Sequence, residues 1–173
     1  MDDFVVVGVD PAASKAAYVA LCGPQHMGKQ FTHLGKSGGP AAASAWHCTN
    51  LFLSWVHFEW PGLPVHVFVE SPVVGRGGVR STMVQCFTSG AIQGAFHDAG
   101  CTAQVANVST WKKQVVGKGN ATKEEVSKHL RLRWPALFHS AGGNQDLIDA
   151  SCIAIYGQQL LRERVGEPSV LQG

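Results

Sequence analysis

Four carboxylates stand where a folding chain gains little from a charge. Asp10 ends the apolar run Phe4–Val9, Glu70 ends the run Val65–Val69, and Asp146 and Asp149 lie three residues apart at the start of the last helical stretch. Each alone has an ordinary explanation. Asp10 precedes Pro11 and could simply start a turn. Glu70 could reach solvent from a strand end, and aspartates suit the positive end of a helix dipole. Together they are harder to dismiss, because converging carboxylates repel and raise one another's pKa values. Divalent cations remove that cost. Oxygen-only donors, with no CxxC, no HExxH and no Cys/His cluster, favour magnesium or manganese over zinc. Two such ions about 3.5–4 Å apart can activate a water and stabilise the leaving oxygen of a phosphodiester.

The charge distribution supplies a second part of that chemistry. The net charge is only +2 over 173 residues, yet Lys112, Lys113, Lys118, Lys123, Lys128, Arg131 and Arg133 crowd into 101–135 against Glu124 and Glu125. The preceding 1–70 and the following 136–173 are both net acidic. A basic segment beside a carboxylate site suits a polyanion whose phosphates must be held near the metals. Carboxylates and lysines together point to a metal-dependent nuclease.

The elements that must position these residues follow from patterning. Phe4–Val9 is a continuous apolar run and reads as a buried strand. Asp10-Pro11 ends it, since a residue before proline avoids the helical region. Ala16–Leu21 reads as a second strand and Gln30–Leu34 as a weaker third, with Gly23-Pro24 as a hairpin-type link. Pro40–Trp60 reads as a helix. Its Trp46, Leu51, Leu53, Trp55, Val56 and Phe58, against the single charge Glu59, predict burial on more than one side. Val65–Val69 is the next strand, and the glycine-rich 71–80 is loop, with Arg76 and Arg80 as DNA contacts. Ser81 is expected to cap a helix over 81–98, with Met83, Phe87, Ala91 and Ala95 on one face at four-residue steps. Residues 102–108 form a strand. Helices follow over 121–134, stopped by Pro135, and over 145–164. Three strands and then alternating helices and strands predict an α/β fold with a mixed sheet and helices on both faces.

Four stretches resemble the RuvC family of Holliday junction resolvases, within the RNase H-like superfamily: VVGVDPAASKAAYVAL at 6–21, VFVESP at 67–72, WKKQVVGKGNATKEEV at 111–126 and NQDLIDASCIAIYG at 144–157. The likeness runs through nearly the whole chain in order, although 23–64 matches only in its element pattern. It implies a five-stranded RNase H-like sheet over 1–164, with 165–173 as a tail. It implies Asp10, Glu70, Asp146 and Asp149 as ligands of two Mg²⁺ ions, for which Mn²⁺ can substitute. Lys123 and Lys112 match basic residues at the scissile phosphate and backbone, with Lys113 and Lys118 as flanking contacts. The 81–98 helix matches the family's dimer helix, which places Met83, Phe87, Ala91 and Gly94 at a homodimer interface. Two sites across a two-fold axis would nick opposed strands of a four-way junction symmetrically, leaving 5′-phosphates and 3′-hydroxyls. One departure stands out. The stretch SPVVGRGGVR at 71–80 carries Val73 and Val74 where well-known bacterial members carry an aromatic wedge.

Other classes fit less well. With 45% hydrophobic and 15% charged residues, the chain can bury a core. No apolar run reaches the roughly 18 residues a membrane helix requires. Five cysteines without a CxxC, behind a start that lacks a basic n-region, fit reduced thiols and a cytoplasmic setting. Actin-like ATPases and sugar kinases share the Gly-Val-Asp-Pro turn but need two such domains, so no nucleotide cofactor is expected. A broader branched-DNA or RNA-processing nuclease of the same fold, acting on flaps, forks or ribosomal RNA as YqgF-like proteins do, remains the alternative enzyme. A junction-binding module without catalysis is the alternative non-enzyme. Trp111 and Trp134 border the basic segment and read as core, and His129 and His139 as non-catalytic.

Overall fold

A computed structural model describes residues 3–35, 37–73 and 78–165. Arg76, Val74 and the 166–173 part of the expected tail lie outside the described residues. The elements are β1 (Val5–Pro11), β2 (Lys15–Cys22), β3 (Gln25–Thr32), α1 (Gly38–Glu59), β4 (Val65–Glu70), α2 (Gly78–Asp98), β5 (Thr102–Ala106), α3 (Val108–Val116), α4 (Lys123–Arg133), α5 (Pro135–Ser140) and α6 (Gln145–Val165). The sheet runs β3-β2-β1-β4-β5. β1–β2 and β2–β3 pair antiparallel, whereas β1–β4 and β4–β5 pair parallel. The expected five-stranded mixed sheet of an RNase H-like fold is present.

Alternation along β1 divides the core into two layers. Val5, Val7 and Val9 pack with Phe52, Leu53 and Val56 of α1 and Ile92 and Phe96 of α2. Val6 faces the opposite side, where Trp111, Val126, Leu130, Ile148 and Ile153 gather from α3, α4 and α6. Side chains of a strand point alternately to the two faces, so one apolar run supplies both. On the second face α6 lies unusually close. A Cβ on Gly8 would stand 2.2 Å from the Ala150 carbonyl oxygen and 2.3 Å from the Ala154 nitrogen, so only glycine fits there. Farther along α6, a Cβ on Gly157 would stand 2.3 Å from the Phe68 ring of β4.

Several expectations need correction. The third strand starts at Gln25, not Gln30, because the turn at Gly23-Pro24 is tight and pairing resumes at once, Cys22 against Gln25. Its pattern is polar because it is an edge strand. Ser81 does not cap α2, which already begins at Gly78. Helices α3 and α5 were not anticipated. The first is capped by Asn107, whose side chain accepts from the Ser109 amide at 3.0 Å, and the second starts on Pro135. α1 is buried along the sheet and against α2, but Leu51, Trp55 and Phe58 are 46%, 36% and 86% exposed. The expected stripe on α2 also divides: Ala95 is fully buried, whereas Met83 and Phe87 are 56% and 55% exposed. Each four-residue step drifts about 40° around a helix axis, so such a row leaves the core within three steps.

Candidate active site

The carboxylates are delivered by three elements. Asp10 lies near the end of β1 and Glu70 ends β4, its parallel neighbour, so both project at the same edge of the sheet. The close seat of α6 on Gly8 brings the first turn of that helix to this edge, and Asp146 and Asp149 with it. The four therefore feel one another. Burial, followed by the neighbouring charges of Glu70, Asp149 and Asp146, pushes the Asp10 carboxyl well above the usual range, and it hydrogen-bonds Glu70. Burial likewise raises Glu70 and Asp149. Three carboxyls raised by burial at one edge of the sheet make an all-oxygen donor set of the kind that suits a divalent cation.

The supports differ from one carboxylate to the next. Trp111, fully buried in α3, donates its indole N–H to Glu70 Oε1 at 2.9 Å. Gln145 donates to Asp149 Oδ1 at 2.9 Å and accepts from Ser127 of α4 at 3.0 Å. Asp146 takes both Lys15 Nζ and the Gln30 side-chain amide on its Oδ2. Asn144 ties the set together. Its side-chain oxygen accepts from the Asp146 amide at 3.0 Å, and its side-chain amide donates to Gln30 at 3.1 Å. Among the described residues, no three carboxylate, histidine or cysteine side chains close tightly enough to cage an ion. The fit to a divalent cation thus lies in the donors and their strained charges.

The basic segment is not used uniformly. Lys112 lies within electrostatic reach of Glu70 and Asp149, and its Nζ donates to the Ala121 carbonyl at 2.9 Å. Lys123 opens α4 and also acts on Asp149. A lysine at a helix N-terminus opposes the dipole, a cost that proximity to the carboxylates offsets. Lys118 is instead paired with Glu125 at 2.8 Å, and Glu125 completes a capping box with Thr122. Lys113 and Arg80 are exposed. An open groove of about 320 Å³ runs along α4 beside Gln145, lined by Lys123, Ser127, Lys128, Arg131, Phe138 and Gln145 together with the acidic Glu124.

Sequence reasoning brought together Asp10, Glu70, Asp146, Asp149, Lys112 and Lys123, and the structure gathers them. It missed Lys15, Gln30, Gln145 and the polar role of Trp111. It missed also the anchoring of the turn after Asp10, where Gln85 donates to the Pro11 carbonyl at 3.0 Å and Thr88 to that of Ala12 at 3.2 Å. Of the expected dimer residues, Met83 and Phe87 are exposed and Ala91 is half-buried against the core. Gly94 instead faces Trp46 of its own chain, since a Cβ there would meet that ring at 3.2 Å. The small residue serves α1–α2 packing.

No protein-family model matches the chain, and no curated protein matches it. Solved structures do. Thermus thermophilus RuvC is 22% identical, with 94% of this chain and 97% of that one covered at a TM-score of 0.64. T. thermophilus RuvC in complex with a Holliday junction substrate is 20% identical, with coverages of 93% and 96% and a TM-score of 0.67. The yeast mitochondrial Holliday junction resolvase Ydc2 is 13% identical, with coverages of 95% and 85% and a TM-score of 0.56. At these identities the likeness is one of fold. The chain has the RNase H-like fold in the form that RuvC takes, over nearly its full length.

Proposed function

We propose that the protein is a divalent-metal-dependent endonuclease that resolves four-way DNA junctions as a homodimer by paired nicks. The observation that carries this is the meeting of Asp10, Glu70, Asp146 and Asp149 at one strand edge, beside Lys112 and Lys123. The shared fold with a RuvC structure in complex with a Holliday junction supports the choice of substrate. Asp10, Glu70, Asp146 and Asp149 would hold Mg²⁺ or Mn²⁺, two ions per site. The ions would supply Lewis-acid stabilisation of the phosphoryl oxygens and a nucleophile at neutral pH. Trp111 and Gln145 keep Glu70 and Asp149 pointed at the reacting phosphate. Lys123 and Lys112 bring positive charge to the oxygens that become more negative in the transition state. The α4 groove, with Lys128 and Arg131, tracks the backbone beyond the cut. Lys113 and Arg80, both exposed, extend the basic surface.

The dimer would form through the outer face of α2, where Val79, Met83 and Phe87 are 78%, 56% and 55% exposed. An exposed apolar row of this kind suits a second copy of the chain better than water. No described helix is long and apolar enough to cross a membrane. No disulfide joins the described cysteines, which suits the reducing, cytoplasmic setting of this reading.

A second reading is favoured by Val73, which is aliphatic and 39% exposed where a junction-opening aromatic would stand. It is a nuclease for branched DNA in general. The decisive assay sets a labelled four-way junction with Mg²⁺ beside duplex, flap and RNA–DNA hybrid substrates. Symmetric nicks confined to the junction support the resolvase. Equal cutting of flaps supports the broader nuclease. Tight binding without cutting, in Mg²⁺ and in Mn²⁺, overturns both.

A further inference from the structure

Asp146 differs from its three neighbours in what it holds. Asp10 and Glu70 share a hydrogen bond, and Asp149 is turned to Gln145. Lys112 and Lys123 act on Glu70 and Asp149 from a distance, but among the described residues Asp146 is the one of the four in a direct ion pair, with Lys15, whose ammonium meets the same Oδ2 that takes the Gln30 amide. Lys15 is placed there firmly. It is the first residue of β2, its carbonyl accepts from the Ala12 amide at 2.8 Å, and it pairs in register with Thr32. Its side chain is nevertheless 45% exposed, against 23% for that of Asp146, so the ammonium can withdraw into water without unfolding anything. Among the described residues the carboxylates do not close into a cage while Asp146 is engaged by the hairpin.

We propose that Lys15 is the resident cation of the site: it holds Asp146 while no divalent ion is bound and competes with that ion for the carboxylate, so that it sets the affinity of the cluster for metal. The inference rests on the metal-dependent reading given above. An ammonium is a compact, single charge on a flexible stem. It can neutralise one carboxylate oxygen but cannot gather several, as a divalent ion does. Removal of Lys15 takes away both a competitor and a repelling positive charge. A lysine whose role is merely to position Asp146 would have the opposite sign, since its loss would leave the ligand disordered and weaken metal binding.

The test uses the full chain without DNA, titrated with Mn²⁺ by calorimetry. Lys15→Met is expected to bind Mn²⁺ at least about fivefold more tightly than wild type, the lower end of coupling between interacting sites. Lys15→Arg, which keeps the charge, is expected to stay within about twofold of wild type by the same coupling measure. Unchanged or weaker binding by Lys15→Met overturns the proposal. If that variant does not fold, Lys15→Gln carries the same expectation and the same overturning result. Thermal unfolding adds an independent readout. In EDTA the Met variant should melt below wild type, and saturating Mn²⁺ should abolish the difference; a difference that persists counts against the proposal. Wild-type protein that takes up no Mn²⁺ would instead sink the metal-dependent reading, which keeps the two failures apart.

Discussion

The two flanks of the carboxylate cluster are built on different principles. On one, Glu70 and Asp149 are held by neutral donors, the buried indole of Trp111 and the amide of Gln145. On the other, Asp146 is held from the β2–β3 hairpin by a half-exposed ammonium together with the Gln30 amide. A neutral donor fixes a carboxylate whatever else arrives, whereas an ammonium is a rival to every other cation. The α3–α6 flank therefore sets geometry, and the hairpin flank sets occupancy.

The sharpest way to break this comparison is to remove what brings the flanks together. Gly8→Ala would drive a methyl group into the α6 backbone at about 2.2 Å. It should cost roughly 3 kcal/mol or more in denaturant unfolding and abolish cleavage, because backbone atoms cannot move aside as side chains do. Asp10→Asn should lower junction cleavage about 10³-fold, the upper end for one lost charge-stabilising group. Yet it should raise the melting temperature in EDTA, since a repelling carboxylate is gone; a lower melting temperature would contradict the charge balance described here. Trp111→Phe keeps most of the apolar packing but removes the indole donor from Glu70. Its expected cost in cleavage is about 10- to 100-fold, typical of lost support for a metal ligand, with metal affinity falling in step.

The pH dependence is a finer probe of the same charges. Burial raises Asp10, Glu70 and Asp149, so above the ordinary carboxylate range the folded, metal-free state retains protons longer than the unfolded chain does. The folded state binds more protons, so metal-free stability should fall as pH rises from the ordinary carboxylate range through the raised values. Bound Mg²⁺ displaces those protons and should flatten the curve. Melting temperatures in EDTA and in Mg²⁺, for wild type and Asp10→Asn, measure this. A gap between the two proteins in EDTA that narrows with rising pH would reverse the assigned sign. The smallest effect belongs to Lys118→Ala. Its partner Glu125 is solvent-exposed capping machinery, so cleavage and its salt dependence should stay at wild-type values.

Much of the geometric flank was legible in the sequence. Asp10 and Glu70 end apolar runs and are followed at once or after one residue by proline, so their places at strand ends follow from local chemistry. Asp146 and Asp149 at a helix start share a face by helical period alone. The occupancy flank was not legible. Lys15 and Gln30 reach Asp146 only through the exact register of two hairpins, and placing the third strand at 30–34 put Gln30 at its beginning instead of near its end. Trp111 shows another limit. Burial is readable from an indole in an apolar pattern, but the partner of its N–H is not. The exposed residues of α1 were missed because composition says how apolar a helix is and not which of its sides meets a neighbour.

The seat of α6 on Gly8 also bears on how the protein is made. The site joins residue 10 to residues 146 and 149, and β1 stays open on one face until α6 packs there. At typical translation rates of about 5–20 residues per second, roughly 7 to 28 s pass between the synthesis of Asp10 and that of Asp149. Through that interval the emerging chain carries strands and a hairpin but no cutting centre. If the proposed function holds, a chain interrupted before α6 would be unable to cut DNA, and its uncovered central strand would expose it to chaperones or proteases. On the proposed function, nuclease activity would become available only once synthesis has passed α6.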